Sequence, residues 1–191
     1  MISCSKRKKE WVFIRLFIAL NFSNEIRAQI SEIIHKIKSN SHMGRFVAKE
    51  QLHLTVEFLG EVPGSRLDLV KEAMNGLELG AFTLNLTKIG CFKRREGDIC
   101  WLGIEKSDRL FSIQKSLHES LAERGFKLET REYRPHITIG RRVKLKDGFD
   151  TSGLDDVVGK IAIGIDKVDL MRSEFTNGRP VYSVLYSKYL R

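Results

Sequence analysis

The chain has 191 residues, enough for one large domain or two small lobes with a real core and no need of disulfide staples. Apolar residues make up 42% and charged residues 30%, which excludes a disordered chain. Lys and Arg exceed Asp and Glu by 33 to 24, and the resulting +9 favours an anionic partner, nucleic acid ahead of anionic membrane.

In chain order, Lys6-Arg7-Lys8-Lys9 forms a basic N-terminal tail over residues 1–10. The following run Trp11–Phe22 superficially resembles a signal peptide, but Glu10 and Arg15 interrupt it and no small-residue cleavage site follows. It is also too short for a membrane-spanning helix, so Val12–Leu20 reads as a buried first strand. Turn and capping residues at Asn21–Glu25 lead into a helix over Glu25–Lys38, with isoleucines 26, 30, 33, 34 and 37 at helical spacing. Ser39–Gly44 reads as a loop. Leu52–Leu59 is a strand ending at Gly60, and Pro63-Gly64-Ser65 opens a second helix to about Leu77.

Phe82–Ile89 and Ile99–Ile104 read as strands joined by the polar loop Lys93–Asp98. Ser107 caps a helix to Arg124 that Gly125 ends. Pro135–Gly140 is a strand, and residues 144–158 are loop or a short helix. Lys160–Met171 and Val181–Tyr189 close the chain as a strand pair around the turn Thr176-Asn177-Gly178-Arg179. The fold class is α+β: two mainly antiparallel sheets with helices outside, two pseudo-symmetric lobes around a cleft, packed as one domain over 11–191. The three cysteines, Cys4, Cys91 and Cys100, are odd in number and lack CxxC spacing. They fit a reducing compartment and a cytoplasmic location, and argue against a disulfide framework or zinc knuckle.

One short pattern occurs twice, His53-Leu54-Thr55-Val56 and His136-Ile137-Thr138-Ile139. Residues i and i+2 of a strand share a face, so each copy offers an imidazole beside a hydroxyl while the apolar residues turn inward. Two such strands facing each other would place two histidines and two threonines in one cleft. A duplication in which each half of the chain supplies one sheet and one motif would produce that layout. By the same parity Glu57 joins the face of His53 and Thr55, where it orients a basic neighbour, raises the pKa of His53, or is simply solvated. His35, His42 and His118 lack a threonine two residues on within a strand and read as ordinary surface or packing residues. Trp101 reads as core.

The segments Arg15–Leu20, Leu52–Gly60 and Arg134–Arg141 resemble the 2H phosphoesterase superfamily, and within it the RNA 2′,3′-cyclic phosphodiesterases, also called 2′-5′ RNA ligases. The resemblance runs from Trp11 to Tyr189, including Leu170–Ser173 and the turn Gly178–Tyr182. It implies hydrolysis of an RNA terminal 2′,3′-cyclic phosphate to a 2′-phosphate; no metal or other cofactor and no membrane partner are expected, and the chain is expected to be a monomer. It also implies joining of RNA ends such as tRNA halves through a 2′-5′ bond. In the roles of that family His53 is the proton donor and His136 the proton acceptor, while spacing alone does not choose between them. Imidazole titrates near neutrality and suits either task, and Thr55 and Thr138 would hydrogen-bond the phosphate oxygens.

Arg141 fits the family's basic residue after the second motif. Strand parity puts it opposite His136 unless Gly140 makes a bulge, whereas Arg142 has matching parity, so both stand as phosphate ligands. Arg134 joins them, with Lys93-Arg94-Arg95, Arg131, Lys144 and Lys146 along an RNA path. Tyr133 and Phe92 could stack on a terminal base, or Phe92 could be core. Three other readings stay open: a phosphodiesterase acting on a small cyclic nucleotide or on ADP-ribose 1″,2″-cyclic phosphate, a non-catalytic RNA-binding module, and metal catalysis. The last lacks carboxylates or thiolates at ligand spacing.

Overall fold

The computed structural model describes residues 13–191, so the basic tail, Cys4 and the start of the first strand at Val12 lie outside the described residues. Four strands, β1 (Phe13–Asn21), β3 (His53–Pro63), β8 (Lys167–Thr176) and β9 (Arg179–Tyr189), form a first antiparallel sheet in the order β3-β1-β8-β9. Five more, β2 (Ser41–Phe46), β4 (Phe82–Phe92), β5 (Asp98–Ile104), β6 (His136–Leu145) and β7 (Ala162–Ile165), form a second in the order β2-β6-β5-β4-β7. The class is α+β, as the alternation of strands and amphipathic helices requires.

The helices lie between the sheets and solvent. Helix α1 (Asn24–Ser39) turns Ile30, Ile33, Ile34 and Ile37 inward against β2 and β6. Its first turn is held by Ser23, whose hydroxyl accepts from the Ile26 amide at 3.3 Å. Helix α2 (Leu67–Asn75) follows a 3-10 turn at Gly64–Arg66, so the second helix begins four residues later than Pro63 suggests. Helix α3 (Asp108–Glu123), capped by Ser107, packs against β3 of the first sheet. Residues 151–158 form a 3-10 turn and the four-residue helix α4 (Asp155–Val158). Leu16, Ile18 and Leu20 of β1, the α1 isoleucines, Leu54 and Val56 of β3, and Ile137 and Ile139 of β6 belong to one continuous buried core. Burial of such side chains is the main favourable term, about 25 cal/mol for each Å² of apolar surface removed from water.

The two sheets do not correspond to the two halves of the chain. Each carries one His-x-Thr strand, but β2 leaves the first half to edge the second sheet, and β8 and β9 return from the end of the chain to complete the first. Ser41–Phe46 is therefore strand rather than loop. Its sequence SHMGRF has no apolar alternation because, as an edge, it has little to bury. The segment 160–171 divides at Asp166, β7 pairing with β4 in one sheet and β8 with β1 in the other. Asn177 and Gly178 both adopt positive φ, 53° and 72°, the mirror-image turn that suits a two-residue hairpin between β8 and β9. Among the described residues no helix is long and apolar enough to cross a membrane.

Candidate active site

Each motif histidine is the first residue of its strand, and the two are held alike. His53 Nδ1 lies 2.7 Å from the Gln51 carbonyl and His136 Nδ1 lies 2.7 Å from the Arg134 carbonyl. A carbonyl only accepts, so Nδ1 carries the proton and donates, leaving Nε2 of each ring to exchange protons with a ligand. Thr55 and Thr138 follow two residues on, half-buried on the same faces, with the leucine and isoleucine between them fully buried behind.

Aromatic rings fix both imidazoles. Phe17 stands 5.0 Å from His53 between ring centroids, and Tyr182 meets the same histidine edge-on at 5.3 Å. Phe92 meets His136 edge-on at 5.7 Å and rests on Trp101 at 5.3 Å. Trp101 is thus half-buried on the cleft face of the second sheet, opposite Thr138 in register, rather than in the core. Gly90 makes room for it, because a Cβ there would stand 2.2 Å from the indole ring. Burial pushes the His53 pKa below the ordinary imidazole value. The bond to the Gln51 carbonyl opposes this, and the positive charges of Arg27, Arg141 and His136 add to it. Burial and these charges favour the neutral form of His53.

Two β-bulges decide which charged residues reach this cleft. In β3 the register with β1 passes from Thr55 opposite Ala19 to Glu57 opposite Ile18, leaving Val56 over. Val56 and Glu57 therefore turn to the same side, the core side. Glu57 does not share the face of His53 and Thr55. It is 5% exposed and accepts from Gln114 Nε2 at 3.1 Å and His118 Nδ1 at 2.9 Å, both on α3. In β6 the register with β5 passes from Thr138 opposite Trp101 to Gly140 opposite Cys100, leaving Ile139 over. This bulge turns Arg141 to the face of His136, near enough for its charge to act on His53 and Tyr182. Arg142, at φ 54°, instead pairs with Glu96 at 2.8 Å. Of the two arginines, Arg141 belongs to the cleft.

The remaining candidates divide by their partners. The Tyr133 hydroxyl donates to the Thr55 carbonyl at 3.1 Å and its ring meets Phe111. Burial, with the charge of Glu57 behind it, holds that phenol well above its ordinary pKa, so it serves as a neutral strut between β3 and the start of β6. Arg134 pairs with Glu132, Arg131 with Glu129 and Lys93 with Asp98, all at the surface. Lys146 donates to the Ser39 carbonyl and Arg94 to that of Lys93, while Arg95 and Lys144 are exposed. His35 and His42 are exposed, the latter on β2, and His118 is the partner of Glu57. Phe17 and Tyr182 lie within segments that carry the family resemblance, but neither they nor Arg27 stand out as site residues, because nothing in their local pattern distinguishes them from core or solvated residues. A groove of about 900 Å³ leads from His53 and Tyr182 past Asn21 and Arg27 to Asp166 and Lys167, where β7 gives way to β8.

Two imidazoles whose Nε2 atoms have no partner among the described residues, with paired hydroxyls and an arginine, form a kit for acid–base chemistry on a phosphoester. A profile of the 2′-5′ RNA ligase superfamily matches residues 23–174, and the chain belongs to that family. It is 33% identical over 176 residues to an RNA 2′,3′-cyclic phosphodiesterase of Thermotoga maritima, covering 91% of this chain and 94% of that one. It is 30% identical to the RNA 2′,3′-cyclic phosphodiesterase of Escherichia coli, covering 90% and 93%. The solved structure of E. coli LigT complexed with 3′-AMP superposes with a TM-score of 0.78 at 29% identity, covering 94% of this chain and 99% of LigT.

Proposed function

We propose that this chain hydrolyses the 2′,3′-cyclic phosphate at the end of an RNA strand, leaving a 2′-phosphate and a 3′-hydroxyl, by acid–base catalysis without a metal ion. The observation that carries this reading is the matched pair of Nδ1–carbonyl bonds, which turns the Nε2 of each ring to proton exchange, with His136 near enough for its charge to act on His53. His136 Nε2 takes a proton from water as the water oxygen bonds to phosphorus. The bond from phosphorus to the 3′-oxygen breaks, and that oxygen takes a proton from His53 Nε2. Thr55 and Thr138 hydrogen-bond the non-bridging oxygens, and Arg141 offsets the charge that develops there. Burial and positive neighbours disfavour a protonated His53. A phosphate anion between the histidines reverses that bias, so the acid is charged when substrate arrives. A 5′-hydroxyl of a second strand in place of water gives a 2′-5′ phosphodiester by the same proton transfers, as on tRNA halves. The relatives named above support the substrate class, and the charge of +9 supports a polymer over a mononucleotide.

The test is incubation of a 2′,3′-cyclic-phosphate oligonucleotide with the protein in EDTA. We expect a 2′-phosphate product, and losses of about 10²–10⁴ in kcat for His53→Ala and for His136→Ala. Absence of product from the unaltered protein, or full activity in both variants, would overturn the reading.

A further inference from the structure

The groove beyond His53 contains an arginine that the fold does not account for. Arg27 lies in the first turns of α1 and lines the groove together with Gln51, His53 and Tyr182. Its Nε is buried and has no hydrogen-bond partner among the described residues. Arg131, Arg134, Arg142 and Arg172 each have an acidic partner, and none is recorded for Arg27 among the described residues. The acids of the groove do not supply one. Asp169 is fully buried and accepts from Asn21 Nδ2 at 2.7 Å and from the Ser187 hydroxyl, and Glu50 and Asp166 make no ion pair with Arg27. A buried donor without an acceptor is costly in a folded protein, and a guanidinium presents a planar fork that matches two oxygens of a phosphate.

We propose that this groove seats the terminal nucleoside of the substrate and that Arg27 binds the phosphate on its 5′ side, the one joining it to the rest of the RNA. The assignment rests on the proposed cyclic-phosphate chemistry at His53 and His136. With the cyclic phosphate between the two histidines, the ribose leaves the cleft by its opposite end, and the 5′-phosphate is the next anion along the chain. Among the described residues Arg27 is the cation without an acidic partner on the groove wall that begins at His53. Tyr182, Met171 and Val184 provide an apolar floor for the nucleoside. A mononucleoside 2′,3′-cyclic phosphate with a free 5′-hydroxyl lacks the group that Arg27 reads, so the site selects ends of RNA strands over small cyclic nucleotides.

The probes are adenosine 2′-phosphate and adenosine 2′,5′-bisphosphate, measured by calorimetry at fixed low salt on the full chain. We expect the unaltered protein to favour the bisphosphate by tenfold or more. Arg27→Gln should bring that ratio near one, and Arg27→Lys, which keeps the charge but not the fork, should give an intermediate ratio. Lys115→Gln, on the exposed face of α3 beside Glu119, should keep the full ratio. An unaltered protein with no preference, or a preference that survives Arg27→Gln, overturns the proposal. Should Arg27→Gln not fold, the lysine variant decides, and an undiminished ratio in it overturns the proposal. An Arg27-dependent preference in a protein that turns over no cyclic phosphate leaves the groove assignment standing and refutes the hydrolase reading instead.

Discussion

Replacing Glu57 by alanine tests the bulge that sorts the charged residues of the site. The carboxylate is 5% exposed and receives two hydrogen bonds, from Gln114 at 3.1 Å and His118 at 2.9 Å. A bond to a charged acceptor contributes about 1.5–3 kcal/mol. The His118 side chain is 34% exposed and can turn to water once released, so its share falls at the lower end. The two together come to about 3 kcal/mol, which for a chain of this size lowers Tm by about 6–12 °C. The double-mutant cycle Glu57→Ala with His118→Ala should show a coupling of about 1–2 kcal/mol in urea melts. Turnover measured well below the melting range should stay within a few-fold, because the carboxylate faces α3 and not the cleft. A hundredfold fall in kcat with an unmoved melt would place Glu57 beside His53 and refute the bulge argument.

The second bulge predicts unequal arginines. Arg141→Gln should lower kcat/KM by roughly 10–100-fold, whereas Arg142→Gln, which breaks a surface pair worth at most about 1 kcal/mol, should change it by less than about threefold. The reverse order would show that β6 continues in regular register past Ile139. His53, with its pKa lowered on folding, adds nothing to the pH dependence of stability above its unfolded value near 6.5. Below that, the unfolded chain takes the proton first, and stability falls as pH drops toward the folded pKa. Urea midpoints at pH 8 and pH 5 should therefore fall further for the unaltered protein than for His53→Gln, and parallel falls would contradict the assignment. Cys91 and Cys100 face each other across β4 and β5. The Cys100 thiol donates to Cys91, lowering the pKa of Cys91 and, with burial, raising that of Cys100. In a Cys4→Ser background, mass spectrometry should find Cys91 alkylated before Cys100, and equal rates would count against this pairing.

Much of the site could be read along the chain because its parts are local. The histidine and threonine of each motif share a face through the two-residue period of a strand, which needs no knowledge of a partner. The caps at Ser23 and Ser107 and the turn at Asn177-Gly178 are likewise set by residues within a few positions. The misreadings fall where a neighbouring strand decides. Glu57 and Arg141 each lie just past a bulge, and parity counted along the sequence puts both on the wrong face. Ser41–Phe46 is held as strand by β6, with no apolar pattern of its own to announce it.

The amino-acid order alone was sufficient to place two imidazole–hydroxyl pairs on strands and to give the α+β class, since both follow from short-range periodicity. Only the folded chain settles which strands make up each sheet, and that Arg141 rather than Arg142 or Glu57 faces the histidines. It likewise leaves Arg27 without an acidic partner among the described residues, on the groove leading from His53. Those facts depend on pairing registers between segments far apart in sequence. One extra residue in a ladder reverses every side chain beyond it.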